Sequence, residues 1–305
     1  MPHGAVTRCT RDTRRTPTPP GPLYCRSMAR TPVRDGSPEA GLAARILRAR
    51  AWNPLKLIDG GDHIELRRFA GPVRHAELLT HPLRVAHVTD IHVGRITPMA
   101  VQRAAVDLVN AEHPDLVAIT GDFVCHSQLY LDSLSELIAA YQAPVVCVLG
   151  NHDHWAGGAE VRRTLQRAGA LVLDNAHTTL TLHNQQLQVV GLDDAYTGHA
   201  DWQRAVHGLR PDLPTLGLSH IAEEADRLWS AGVSLVLSGH THAGQFAVPG
   251  KPNLNLAKLV TRYTHGVYRE GDSTLFVSSG LGTTGPPVRI GTRSEIALLT
   301  LRPAS

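Results

Sequence analysis

From Leu83 onward, short apolar runs rich in β-branched residues alternate with stretches whose apolar positions recur at helical spacing. Residues 84–88 are followed by 100–110, residues 116–120 by 129–140, and residues 145–149 by 159–168. Such alternation predicts parallel strands with helices laid on their faces. Residues 178–182 and 186–190, joined around His183-Asn184-Gln185, predict an antiparallel hairpin instead. Further strands are expected at 215–218, 234–237, 274–278 and 295–301. A mixed set this large predicts an α/β protein built as an α/β/β/α sandwich, two mixed β-sheets packed together and flanked by helices. No internal repeat is evident.

The segment before this pattern reads differently. Residues 1–40 are rich in Pro, Thr, Arg and Gly and lack apolar periodicity, so a disordered or non-native tail is expected there, with Met28 as an alternative start. Arg14-Arg15 precedes Thr-Pro-Thr-Pro-Pro and no apolar stretch, which argues against a twin-arginine export signal. Residues 41–80 are expected to form a helix and strand extension, and residues 81–303 the main domain. Residues 42–52 are a candidate for weak peripheral membrane contact, although Arg50 falls between Ile46 and Leu47 on a helical wheel.

Composition narrows the class. With 305 residues, 42% hydrophobic and 19% charged, the chain has the make-up of a globular protein with a sizeable core. No apolar run approaches the ~18 residues of a membrane-spanning helix, so a cytoplasmic protein, peripheral to a membrane at most, is expected. The formal charge of +3 hides an asymmetry. Residues 1–50 carry ten Arg against Asp12, Asp35 and Glu39, a net of +7, which leaves −4 for the remainder. The body therefore lacks the basic footprint of a nucleic-acid binder, and no specific nucleic-acid binding is predicted. Cys9, Cys25, Cys125 and Cys147 form no C-x-x-C pair, and Cys147 in its apolar run is expected as a small buried hydrophobe.

The eighteen His change the picture, because several stand where apolar runs end. Residues 85–88 lead to Thr89-Asp90-Ile91-His92, residues 116–119 to Thr120-Gly121-Asp122, and residues 145–149 to Gly150-Asn151-His152-Asp153. Later, Leu218 leads to Ser219-His220, and Leu237 to Ser238-Gly239-His240-Thr241-His242. Ligands of open α/β sheets bind at the carboxyl ends of strands, so residues 90 to 242 can converge there. Asp, Asn and His without Cys suit a catalytic hydrolytic metal site better than a structural zinc. Seven donors (Asp90, His92, Asp122, Asn151, His220, His240 and His242) exceed what one tetrahedral ion uses. Two ions roughly 3.5–4 Å apart would use them all, with Asp122 as the natural bridge. Any one of these blocks alone is an ordinary turn or a solvated histidine; together they are not.

The set D-x-H, G-D, G-N-H-[DE], lone His and G-H-x-H, here Asp90-Ile91-His92, Gly121-Asp122, Gly150-Asn151-His152-Asp153, His220 and Gly239-His240-Thr241-His242, resembles the calcineurin-like metallophosphoesterases over roughly residues 80–300. Residues 237–245, Leu-Ser-Gly-His-Thr-His-Ala-Gly-Gln, and the Gly280-Leu281-Gly282 stretch resemble the bacterial phosphodiesterase subgroup. Ala243 stands where Gly is usual there, and Ile221-Ala222 where a Pro often follows the lone His. The resemblance implies one metal on Asp90, His92, Asp122 and His242, and a second on Asp122, Asn151, His220 and His240. It implies a phosphoric ester hydrolase, more a phosphodiesterase than a monoesterase, with a metal-bridging hydroxide as nucleophile. His152 is then placed as general acid for the leaving alkoxide. Asp153 either orients that imidazole or holds it protonated, or is a helix N-terminal or turn residue. The metals would be divalent or trivalent, drawn from Mn, Fe, Zn or Co.

Gly280-Leu281-Gly282-Thr283-Thr284-Gly285 matches a dinucleotide-binding loop, but Pro286-Pro287 prevents the helix that would cradle a pyrophosphate. Arg289, Arg262 and Tyr263 are candidates for gripping substrate, against surface Arg and core Tyr. His126 and His154 are candidates for the cleft rim, while His177, His183, His199, His207 and His265 are expected to be mostly solvated. The expected substrate is a phosphoester small molecule or a lipid-linked one. Two alternatives stand beside it: a pyrophosphatase acting on a nucleotide-sugar lipid such as UDP-2,3-diacylglucosamine, and a non-catalytic scaffold of the same fold.

Overall fold

The computed structural model describes residues 64–248, 251–285 and 288–303; the expected tail 1–40, the candidate membrane segment 42–52, Cys9 and Cys25 lie outside them. Two six-stranded mixed sheets face each other. The first contains β1 (Glu65–Val73), β2 (Arg84–Val88), β3 (Leu116–Thr120), β4 (Val145–Val148), β5 (Leu171–Val172) and β14 (Glu295–Pro303), in the order β1-β14-β2-β3-β4-β5. The second contains β6 (Ala176–Leu182), β7 (Gln185–Gly191), β8 (Thr215–Leu218), β9 (Leu235–Ser238), β12 (Gly266–Glu270) and β13 (Ser273–Val277), in the order β12-β13-β9-β8-β7-β6. A short antiparallel pair, β10 (Ala247–Val248) and β11 (Lys251–Asn255), stands apart.

Alternation within the strands builds the layers. In β3, Leu116 and Ala118 point between the sheets, where they join Leu216 and Leu218 of β8 and Leu235 and Leu237 of β9. Val117 and Ile119 point the other way, onto helices α1 (Met99–Ala111), α2 (Leu131–Ala139) and α3 (Asn151–Arg167). Val190, Val236, Leu275 and Val277 face outward from the second sheet onto α4 (Trp202–Val206) and α5 (Ala225–Ser230). Strands buried on both faces read as continuous apolar runs, as residues 116–119 and 145–149 do.

Some boundaries differ from the sequence-based expectation. Helix α3 begins at Asn151, eight residues before the expected 159, because the Asp153 carboxylate accepts the Gly150 N–H at 2.9 Å and closes the first turn. It then kinks at Gly157, whose φ of 113° is left-handed, and the Gln128 side-chain amide donates to the Ala156 carbonyl at 2.7 Å. Between β6 and β7, His183 and Asn184 both take positive φ, 49° and 63°, the two-residue turn that matches strand twist.

Candidate metal centre

The parallel strands β2, β3 and β4 are neighbours in one sheet, and the parallel strands β8 and β9 are neighbours in the other. Their carboxyl ends release Asp90 and His92, Asp122, Asn151, His220, and His240 and His242 into one place. Ligand atoms of Asp90, His92, Asp122 and His242 all lie within 4.8 Å of one another, and so do those of Asp122, His220 and His240. Asn151 joins the second group, its Oδ1 standing 3.1 Å from His220 Nε2. The seven donors that the sequence singled out are thus brought together.

The backbone is bent to do this. Asp90, His92, Asp122, His240 and His242 adopt φ of 52°, 48°, 55°, 71° and 49°, a left-handed conformation that side-chain-bearing residues avoid. Strain of this kind persists only where surrounding contacts over-determine it. Gly121, at φ 88°, and Gly150 supply the close approach: a Cβ on Gly121 would stand 2.7 Å from the Gly150 nitrogen, and one on Gly150 would collide with the Asp122 carboxylate.

Hydrogen bonds then aim the donors. His220 Nδ1 donates to the Thr120 carbonyl at 2.7 Å and His242 Nδ1 lies 3.2 Å from the Gly282 carbonyl. Both leave Nε2 facing inward, the way an outer hydrogen bond fixes a metal-binding tautomer. Asp122 Oδ1 accepts the His152 N–H at 2.9 Å, while its Oδ2 lies 3.6 Å from His92 Nε2 and 3.3 Å from His220 Nε2. One carboxylate oxygen therefore sits between both imidazole sets.

The donor set fits cations. His92 Nε2 and His242 Nε2 face each other at 3.2 Å, and His220 Nε2 faces His240 Nδ1 at the same distance. Buried His92 Nδ1 has no hydrogen-bond partner. Burial pushes His92 down to about 3 and His240 to about 4, so both imidazoles are neutral and offer lone pairs. Burial opposes charge on His220 too, but Asp122 and Asp90 outweigh it and raise the group to about 10.

His152 is 8% exposed at the mouth, its Nδ1 2.6 Å from the Cys125 carbonyl and its Nε2 4.0 Å from Asp122 Oδ2. Asp153 does not reach that ring. Its carboxylate accepts the N–H groups of Phe123 at 2.9 Å, Val124 at 3.1 Å and Gly150 at 2.9 Å, so its place is that of the helix N-terminal residue. Burial, then the neighbouring Asp122, pushes it up to about 7.

The substrate-gripping candidates are committed to other partners. Arg289 is buried and donates to the carbonyls of Ser279, Gly280 and Gly282, bracing the loop under His242. Arg262 and the Tyr263 hydroxyl both engage Asp226, at 2.7 and 2.8 Å. Of the rim candidates, exposed His126 stacks 4.3 Å from the His152 ring, whereas His154 turns away to Asp193 at 2.7 Å. His265, expected to be solvated, is buried against Glu295 at 3.0 Å. Sequence reasoning missed Cys125, which lies within ligand distance of His92 and His152, and two exposed aromatics beside the centre, Trp155 and Tyr196. Trp155 stands two residues after the G-N-H-D block, a signal within reach; nothing local marks Tyr196.

The calcineurin-like phosphoesterase family model matches residues 83–244. An uncharacterized metallophosphoesterase of Bacillus subtilis, YkuE, is 29% identical over 225 residues, covering 72% of this chain and 79% of that one. Phosphodiesterase YaeI of Escherichia coli is 29% identical over 228 residues, covering 72% and 82%. Among solved structures, a dimetal phosphatase of Danio rerio is similar with a TM-score of 0.45 at 13% identity, covering 68% of this chain and 90% of that one. Among the described residues no helix is long and apolar enough to cross a membrane. The chain belongs to the calcineurin-like phosphoesterases, hydrolases that act on phosphoric esters.

Proposed function

We propose that the chain is a dinuclear metal-dependent hydrolase of phosphodiesters, with Asp90, His92, Asp122 and His242 holding one ion and Asp122, Asn151, His220 and His240 the other. The observation that carries this is the pair of donor sets sharing Asp122. Two such ions, when bound, activate water at neutral pH and neutralise phosphoryl oxygens. Asp122 holds the sets in register, one oxygen tied to the His152 N–H and the other left between the imidazoles. His152 delivers a proton to the departing alkoxide from Nε2, because Nδ1 is committed to the Cys125 carbonyl. The preference for diesters is supported by the YaeI relative, named a phosphodiesterase. Manganese, iron, zinc and cobalt all suit these donors.

The test is a panel of mono- and diesters assayed after metal stripping and reconstitution. Asp122→Asn loses metal and activity together. His152→Ala keeps metal and slows substrates with poor leaving groups more than those with good ones; equal slowing removes it from proton transfer.

A second reading, the nucleotide-sugar lipid pyrophosphatase, is favoured by one feature. A groove of about 370 Å³ is lined by His240, His242, Phe246 and Val260, and Val260 is exposed there. An acyl chain there predicts that Val260→Asp slows a diacylated substrate and spares bis(p-nitrophenyl) phosphate; equal rates on the diacylated substrate would dismiss it.

A further inference from the structure

Aromatic residues make up only 5% of the chain, yet two of the large ones stand more than half exposed beside the metal ligands. Trp155, 53% exposed, has its ring 4.9 Å from that of His152; Tyr196, 64% exposed, has its ring 5.5 Å from that of His240. The two rings are 5.9 Å apart and nearly perpendicular, at 79°. His126 stacks on Trp155 at 5.6 Å and 23°, which completes an unbroken row of rings from His126 past His152, Trp155 and Tyr196 to His240. Large aromatics left in water are informative when they cluster at a site.

Both supports are rigid. Trp155 lies in the first turns of α3, ahead of the kink that Gln128 pins through Ala156. Tyr196 lies on a turn whose Thr197 N–H and hydroxyl donate to Asp194 Oδ2, at 2.6 and 2.7 Å, and whose flanks are drawn together by Asn175 Oδ1, which accepts the N–H groups of Asp193 and Asp201. The rings arrive from two elements and are held before any ligand comes, so little conformational freedom is lost on binding.

We propose that Trp155 and Tyr196 form a stacking corner for a planar ring carried on an ester arm of the substrate, which makes them specificity-determining residues for aryl or nucleobase-bearing phosphodiesters. This inference rests on the phosphodiesterase reading above. A perpendicular pair offers one face for offset stacking and one for edge contact with the same ring, the arrangements aromatic quadrupoles favour. The corner adjoins His152, so the ring it holds belongs to the arm that leaves. Glycerol and other uncharged, non-planar arms gain no stacking from it.

The test uses the full chain loaded with manganese and two non-hydrolysable probes that differ by the ring alone, phenylphosphonate and methylphosphonate, measured by titration calorimetry. The phenyl compound is expected to bind at least about fivefold more tightly, the scale of one aromatic contact. In the Trp155→Leu/Tyr196→Leu double variant that ratio falls to within about twofold while methylphosphonate affinity holds, and Trp155→Phe/Tyr196→Phe keeps the ratio. Inhibition of bis(p-nitrophenyl) phosphate hydrolysis by adenosine 5′-monophosphate against ribose 5-phosphate, read in the same variants, separates a nucleobase from an aryl ester: the pair with the larger variant-sensitive ratio names the source. A ratio that survives in the leucine variant, no ratio in the wild type for either pair, or parallel weakening of methylphosphonate overturns the corner. Failure of both phosphonates to bind, with no manganese-dependent hydrolysis, instead overturns the phosphoesterase site beneath it.

Discussion

His87 gives the sharpest test of the packing between the sheets. It sits on β2 with no exposed surface, its Nε2 2.8 Å from the Thr120 hydroxyl, its ring edge-on to Phe276 at 5.7 Å, and its Nδ1 without a partner. Burial lowers its pKa from 6.5 to about 4, and the nearby Glu295 and Asp90 carboxylates recover only part of the loss. The unfolded chain therefore binds more protons than the fold between pH 6.5 and 4, so stability rises with pH there and is lost on acidification. With these two pKa values, the His87 share falls by about 2 kcal/mol between pH 7 and pH 5. His87→Gln keeps a donor for Thr120 and abolishes the titration. Urea unfolding of both proteins at pH 5 and 7 isolates this share, because the other histidines cancel in the difference. The wild type should lose about 2 kcal/mol more than the variant over that interval. Losses equal to within about 0.5 kcal/mol would mean that His87 is solvated or already charged in the fold, and the dry interface would be refuted.

Two further substitutions probe the cradle. Gly150→Ala drives a Cβ into the Asp122 carboxylate and should weaken metal binding at least about tenfold, seen as metal lost on dialysis, while secondary structure by circular dichroism persists. Asp153→Asn replaces an acceptor of three backbone N–H groups with a group that is half donor, so it should cost about 2–4 kcal/mol of unfolding free energy. If Asp153 acts only through the backbone, the dependence of rate on leaving-group pKa stays as in the wild type; a steeper dependence would return it to the proton-transfer path.

How much of this was legible in the sequence depended on whether the relevant force was local. The candidate ligand residues were legible because a polar residue that follows directly on an apolar strand has one destination, the carboxyl edge. Strand β1 was legible only as an undelimited strand of the 41–80 extension, because it lies at a sheet edge with charged Glu65, Arg67 and Arg68 and a Gly71-Pro72 pair, and it is recruited by parallel pairing with β14 far along the chain. The start of α3 was masked by Gly157-Gly158, which reads as a break, and was decided by Asp153 through hydrogen bonds to Phe123 and Val124 from another strand end. Arg289 looked like a surface arginine because its partners are backbone carbonyls, which leave no trace in a pattern of side chains.

Asp153 and Arg289 also explain how so strained a cradle holds its shape. Each is a buried ionisable group close to the candidate ligands, and each is engaged by backbone groups, with no salt-bridge partner for either among the described residues. Asp153 gathers N–H groups from the loop after β3 and from the start of α3, which locks Asp122 against Asn151. Arg289 gathers carbonyls from the loop after β13, and that loop in turn donates Leu281 N–H to Thr89 and Gly282 N–H to Asp90. One strut ties the first sheet to its helix and the other ties the two sheets to each other at the ligand edge. A carboxylate collecting donors and a guanidinium collecting acceptors fix left-handed backbone that local propensity would reject. The donors are preorganised in this way, so ion binding does not have to supply the free energy of bending the loops.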